Sequence, residues 1–125
     1  MGNEETKMRR DLFHYFQGSP EEVYNAYLSA LKNEPFKKNP DETPNKMLVF
    51  GLGMSFKFNM NGGSVHIYFA PKDSGTAVKV HYSIAQLFGA RYGAYDELLI
   101  ENVEKLLGYK AEPISDLPKD YFENK

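Results

Sequence analysis

Three histidines, His14, His66 and His81, are the residues of this sequence with the widest chemical range. Three imidazoles can hold a zinc ion and leave a position open for water. His66 and His81 fall opposite each other if their two strands form a hairpin, and His14 joins them if the first strand borders that hairpin. No Asp or Glu stands on those strands to orient an imidazole, so they read as ordinary exposed strand histidines and no metal site is assigned. The chain has no cysteine, which excludes a thiolate zinc site, a cysteine nucleophile and disulfide staples. Acidic residues cluster at Asp96, Glu97, Glu101 and Glu104, on the helix face opposite the leucines, where a solvated surface is expected. There is no Gly-x-Ser-x-Gly elbow, and Gly51-x-Gly53 and Gly62-Gly63 lie between strands, where neither makes a phosphate loop. Lys37, Lys38 and Lys57 stand near Phe56 and Phe58, but the alternation turns the rings inward and the lysine outward. With a net charge of −2 added, nucleic acid is not an expected partner. No motif supports catalysis, and no cofactor is implied.

One apolar feature remains. Leu87, Phe88 and Tyr92, flanked by Gly89 and Gly93, join the last strand to the closing helix. Their plain reading is a cap on the core, as apolar residues under a loop usually form satellite clusters. The functional reading is a hinged wall over an apolar pocket lined also by Phe50, Phe56, Phe58, Tyr95, Leu98 and Leu99, with Arg91, Tyr92 and Tyr95 orienting a small apolar or amphipathic ligand. That reading requires an internal cavity of at least about 300 Å³.

The elements that would position these residues follow from the pattern. Residues 1–11 are polar and without period and read as a disordered arm; Met1 to Thr6 match a bare myristoylation pattern with no second anchoring signal. Leu12 to Phe16 read as a strand. Ser19, Pro20 and Glu22 spell a helix start with a capping box, and Val23, Ala26, Tyr27, Ala30 and Leu31 form one apolar stripe ending before Glu34-Pro35. Lys46 to Leu52 read as a central strand covered on both faces, and Met54 to Met60 as a half-buried strand ending in an Asn61-Gly62-Gly63 turn. Val65 to Phe69 and Val78 to Tyr82 alternate on either side of a turn at 71–75, and pairing Pro71 with Thr76 sets Ile67 against Val80 and His66 against His81. A second helix is expected over 94–107, with Tyr95, Leu98, Leu99, Val103, Leu106 and Leu107 inward and Gly108 as its stop. Residues 109–125 read as a tail.

The length of 125 residues fits one domain, 12–108, and nine Phe with nine Tyr supply its core. No charged-then-apolar leader or membrane-length apolar run is seen, so a cytoplasmic protein that engages no membrane is expected. The order strand, helix, antiparallel strands, closing helix predicts an α+β fold with both helices on one sheet face. Ser19-Pro20-Glu21-Glu22-Val23-Tyr24 after a first strand, Gly75-Thr76-Ala77-Val78-Lys79-Val80 at a strand start, and a closing helix carrying Asn102-Val103 resemble the helix-grip domains of the START-like, birch-pollen-allergen-like (SRPBCC) superfamily. A saddle-like sheet of the TATA-binding type shares the same element order. The resemblance implies a ligand held between closing helix and sheet, although the chain lacks the extra strands and small second helix of larger members. The other reading is a protein-interaction or self-association module, monomer or homodimer, using a sheet edge and the Ile114, Leu117, Tyr121 and Phe122 anchors of the tail.

Overall fold

The computed structural model describes residues 8–55, 58, 60–84, 91–115 and 117–122. Its elements are β1 (Met8–Phe16), α1 (Pro20–Lys32), β2 (Asp41–Glu42), β3 (Leu48–Gly51), β4 (Met54–Ser55), β5 (Met60–Asn61), β6 (Ser64–Lys72), β7 (Gly75–Ile84), α2 (Tyr92–Leu107) and β8 (Glu112–Pro113), followed by a 3-10 turn over Lys119–Phe122. Six strands form one antiparallel sheet in the order β2-β3-β6-β7-β1-β8. Both helices pack on one face, where Val23, Tyr27 and Leu31 of α1 and Leu99 and Val103 of α2 meet Val65, Ile67, Val78, Val80 and Tyr82. This is the expected α+β, helix-grip-like arrangement.

Helix α1 forms where its start signal stands. Ser19 takes extended backbone angles and its hydroxyl accepts from the Glu22 N–H at 3.2 Å, so one orphan donor of the first turn is satisfied. All five residues of the expected stripe are buried. Tyr24 adds a sixth, and its hydroxyl donates to Glu42 at 2.6 Å, tying the helix to β2.

The β6–β7 hairpin has the expected register, with Pro71 opposite Thr76, Ile67 opposite Val80 and His66 opposite His81. Its start is tight against β1: a Cβ on Gly75 would run into the Phe16 carbonyl oxygen, and the Thr76 hydroxyl donates to the Gly18 carbonyl at 2.8 Å.

Elsewhere the chain departs from the pattern. Strand β3 is next to the edge, with Leu48 and Phe50 inward, Val49 half-buried and Gly51 exposed, so it is not covered on both faces. The stretch from Met54 to Met60 is not a single strand: β4 and β5 pair with each other, and the reversal lies between them. Gly62 and Gly63 therefore do not make the turn. The Gly62 N–H donates to the Gly53 carbonyl and the Leu52 N–H to the Gly63 carbonyl, and Gly53, Gly62 and Gly63 take positive φ where β3 and β6 give way to the separate β4–β5 pair. Strand β1 begins at Met8, inside the stretch read as an arm, because its partner β7 is long enough to pair it as far as Ile84.

The segment after α2 also has structure. Strand β8 adds to β1 at Tyr15 and His14, and Phe122 is only 5% exposed, packed with Ala70 and Ala77 on the face away from the helices. Phe13, Tyr68, Ile114, Leu117 and Tyr121 surround them, and the Tyr121 hydroxyl donates to the Pro71 carbonyl. The apolar anchors of the tail thus pack against the protein's own sheet. Among the described residues no helix is long and apolar enough to cross a membrane. Phe122→Ala is expected to lower unfolding free energy by about 3 kcal/mol, the low end for a buried ring because the site lies at the sheet surface. A urea midpoint equal to wild type would show that this packing is not formed in solution.

Candidate functional site

Strand alternation decides which side chains reach the space under α2. On β7 the even positions Val78, Val80, Tyr82 and Ile84 belong to the helix-side core, and β1 sets His14 opposite Val78, so His14 faces the same way. His81 is an odd position, and His66 lies opposite it. The three histidines therefore do not share a face. His14 points under the helices, while His66 and His81 are on the other side.

Helix α2 brings an acid to this space. It spans Tyr92–Leu107 and ends as expected, with Gly108 left-handed and its N–H donating to the Glu104 carbonyl at 2.8 Å. Its buried residues are Tyr95, Asp96, Leu99, Ile100 and Val103, and Leu106 is 52% exposed. The inward stripe is rotated from the one that the leucines suggest, and Asp96, expected on a solvated face, is 3% exposed. Its Oδ1 accepts from the Tyr82 hydroxyl at 2.7 Å and its Oδ2 lies 2.8 Å from His14 Nε2. A carboxylate can only accept, so this Nε2 carries the proton. Glu97 and Glu101 do face solvent.

Two further phenols belong to the cluster. Tyr27 of α1 is fully buried, and its hydroxyl has no hydrogen-bond partner; the Tyr95 hydroxyl is likewise buried without one. Burial above all, and then the Asp96 charge, push the Tyr27 and Tyr82 phenols well above their ordinary range; the hydrogen bond to Asp96 adds to the effect at Tyr82. Burial raises Tyr95 as well. All three remain neutral proton donors at any physiological pH. Tyr82 donates to Asp96, whereas Tyr27 and Tyr95 donate to nothing.

Rings wall the cluster. Tyr95 meets Phe36 and Phe58 edge-on, each with ring centres 5.3 Å away, and Tyr82 at 6.2 Å. Tyr27 meets Phe16 at 5.8 Å and Phe69 at 5.5 Å. The Arg91 N–H, at the start of α2, donates to the Phe58 carbonyl at 2.8 Å, which anchors the helix entrance to the β4–β5 turn.

Of the residues expected to line a pocket, Phe50, Phe58, Tyr95 and Leu99 are buried in one cluster, with Tyr92 and Leu98 packed against it. Arg91 is exposed at the helix entrance. Phe56, Leu87 and Phe88 lie outside the described residues. The described members belong to one buried core cluster or pack against it, with Arg91 at its edge. Sequence reasoning took Tyr27 as an apolar stripe residue and Tyr82 as a strand residue only, grouped His14 with His66 and His81, and set Asp96 on a solvated face, whereas Asp96 is buried and meets Tyr82 and His14. The signal for Asp96 was its spacing: Asp96, Ile100 and Val103 stand at i, i+4 and i+7 beside Tyr95 and Leu99.

Other features are less well placed for chemistry. Lys37 pairs with Glu34 at 2.8 Å, the Lys38 ammonium donates to the Leu52 carbonyl, and Lys57 lies outside the described residues, so no basic strip is presented by the first two. A groove of about 390 Å³ at the end of α2, lined by Glu101, Glu104, Lys105, Gly108, Tyr109 and Lys110, is open to solvent and of mixed charge.

No protein-family model matches the sequence, and no curated protein matches it. Among solved structures the chain is similar to the solution structure of an Arabidopsis thaliana member of the major latex protein family, at 6% identity and a TM-score of 0.49, over 81% of this chain and 92% of that one. The class assigned to this chain, a helix-grip-like α+β domain with a buried acid and phenols under its closing helix, rests on its own topology and geometry.

Tyr82→Phe removes a hydrogen bond to a buried carboxylate and is expected to cost about 1.5–3 kcal/mol in urea unfolding. A cost below about 0.5 kcal/mol would mean that Asp96 does not depend on it. The phenols yield a second expectation. Their folded-state pKa values lie above the unfolded value near 10, so the stability they contribute is intact below about pH 10 and falls as pH rises beyond it. Absorbance at 295 nm should accordingly show Tyr27, Tyr82 and Tyr95 ionising only as the fold is lost, after the exposed tyrosines have titrated. A single ordinary transition for all nine would contradict the burial described.

Proposed function

We propose that this protein binds a small, neutral amphipathic molecule between α2 and the sheet, without catalysing a reaction. The observation that carries this reading is the pair of buried hydroxyls, Tyr27 and Tyr95, without partners among the described residues, near the Tyr82–Asp96 pair and among aromatic rings. A buried donor without an acceptor is unfavourable by about 1–3 kcal/mol, and a ligand that brings an acceptor removes that penalty. The Asp96 charge decides the kind of acceptor: an anion would be repelled, so a carbonyl or hydroxyl is favoured. The rings of Phe36, Phe58, Tyr92 and Tyr95 supply the apolar wall, and Arg91 stands at the rim.

At the helix entrance, the Arg91 N–H bond to Phe58 and the Tyr95 ring contacts join α2 to the β4–β5 ribbon. The reading calls for no metal, cofactor, nucleic acid or membrane, and holds for a monomer or a homodimer. The cysteine-free composition fits a reducing, cytoplasmic setting.

Nile red, a neutral dye with a ring carbonyl, is the probe of choice, with the anionic anilinonaphthalene sulfonate as comparison. Saturable one-to-one fluorescence enhancement by Nile red, tighter than by the sulfonate, is expected. Tyr27→Phe and Tyr95→Phe should each weaken it about tenfold, the loss of one hydrogen bond. Enhancement that does not saturate, or that both substitutions leave unchanged, would overturn the reading.

A further inference from the structure

On the sheet face away from the helices, one rung runs across four strands: Val49 of β3, His66 of β6, His81 of β7 and Asp11 of β1 stand in register. We propose that His66 and His81 form a two-histidine site for a divalent transition-metal ion that favours imidazole, such as Cu²⁺ or Zn²⁺, with Asp11 orienting His81 and water completing the coordination.

Three observations support the site. His81 Nδ1 lies 2.6 Å from Asp11 Oδ1, the carboxylate–imidazole contact that fixes a ring's tautomer and leaves Nε2 for a metal. The His66 and His81 ring centres are 6.1 Å apart. An imidazole bonded at about 2.0–2.1 Å holds its centre about 3.2 Å from the ion, so two on one tetrahedral ion have centres about 5 Å apart. The pair is slightly wider than that, and side-chain rotation would close the difference. Finally, His66 Nδ1 is buried with no hydrogen-bond partner. Burial first, then the neighbouring His81, lowers the pKa of His66, which keeps it in the neutral form that binds metals.

Among the described side chains, the charges near the pair are compatible with a cation. Asp11 is the acid beside the pair, and Lys79, on the next rung, directs its ammonium onto the rings of Tyr68 and Phe122, 4.5 and 5.5 Å from their centres. Among the described residues no group of three His, Asp or Glu surrounds a common point, so the protein contributes two ligands. Imidazole pairs of this kind rank Cu²⁺ above Zn²⁺.

The full-length chain, stripped with a chelator, is titrated with Cu²⁺ alone and with Zn²⁺ alone. The expected result is one ion per chain, tighter for Cu²⁺, with an electron paramagnetic resonance spectrum of the copper form showing two imidazole nitrogens. His66→Ala and His81→Ala should each weaken binding at least tenfold, and Asp11→Asn by about 10- to 100-fold. The spectrum of the wild-type chain keeps the test decisive even if a substitution unfolds the protein. The proposal is overturned by no binding up to 1 mM metal, on the order of the weakest binding normally counted as specific. It is equally overturned by a spectrum without two imidazoles, or by binding unchanged in both histidine variants.

Discussion

A carboxylate buried between a helix and a sheet destabilises the fold around it unless both of its oxygens find donors. Asp96 meets that condition with one donor from each of two neighbouring strands, Tyr82 on β7 and His14 on β1. This one arrangement sets the rotation of α2, since the helix must present Asp96 and Ile100 inward and leave Leu106 in water. It also sets the register of helix against sheet, because two hydrogen bonds of 2.7 and 2.8 Å tolerate far less sliding than apolar contact does. The leucine-rich stripe could have packed in several rotations. The polar one selects among them.

The same strand alternation that sends His14 and Tyr82 inward sends Asp11, His66 and His81 outward, so the protein carries polar clusters on both sides of a single sheet. The outer face is partly closed by the segment after α2. Phe122 sits on Ala70, Ala77 and the Lys79 ammonium, and the small side chains beneath it give the ring room to approach the sheet. The Lys79 cation close to the Tyr68 and Phe122 rings adds attraction to the apolar contacts of this cluster. Both faces of β6 and β7 are therefore engaged, and both strands at the sheet edges, β2 and β8, are two residues long. Short edges offer little template for pairing with another chain.

Much of this was legible in the residues, and the parts that were not share a cause. Ser19, Pro20 and Glu22 announce α1 because capping is local, and Gly108 ends α2 for the same reason. The β6–β7 register follows from alternation on two adjacent strands joined by a short turn. What was hidden depends on contacts far apart in sequence. Asp96 looks solvated when α2 is considered alone, since its donors lie 14 and 82 residues away. Met8 to Asp11 look like a polar arm, since a strand of Arg and Asp is recognised only against its partner. The alternation from Met54 to Met60 runs across β4 and β5, which pair with each other, and a local period cannot reveal such a pairing. Of the pocket residues, the buried ring set around Tyr95 was found from its apolar spacing. The acid that gives the site its character was passed over because Asp is ordinarily a surface residue.

Packing alone does not account for the choice of tyrosine in this core. Phe16 and Tyr27 are both fully buried and in ring contact, and phenylalanine would fill either position with nearly the same volume. The hydroxyl on Tyr27 costs about 1–3 kcal/mol when it goes unpaired, as much as or more than the 0.5–1.5 kcal/mol or so that an aromatic pair contributes beyond its area. Tyr95 incurs the same penalty a short distance away, among Phe36, Phe58 and Tyr82. A core selected for stability would carry phenylalanine at both positions, as it does at Phe16, Phe50 and Phe58. Two such donors lie near the Tyr82–Asp96 pair, in the space between closing helix and sheet. Departures from good packing that gather at one site are where function is to be sought, and here they are donors that neither the helix nor the sheet supplies with an acceptor.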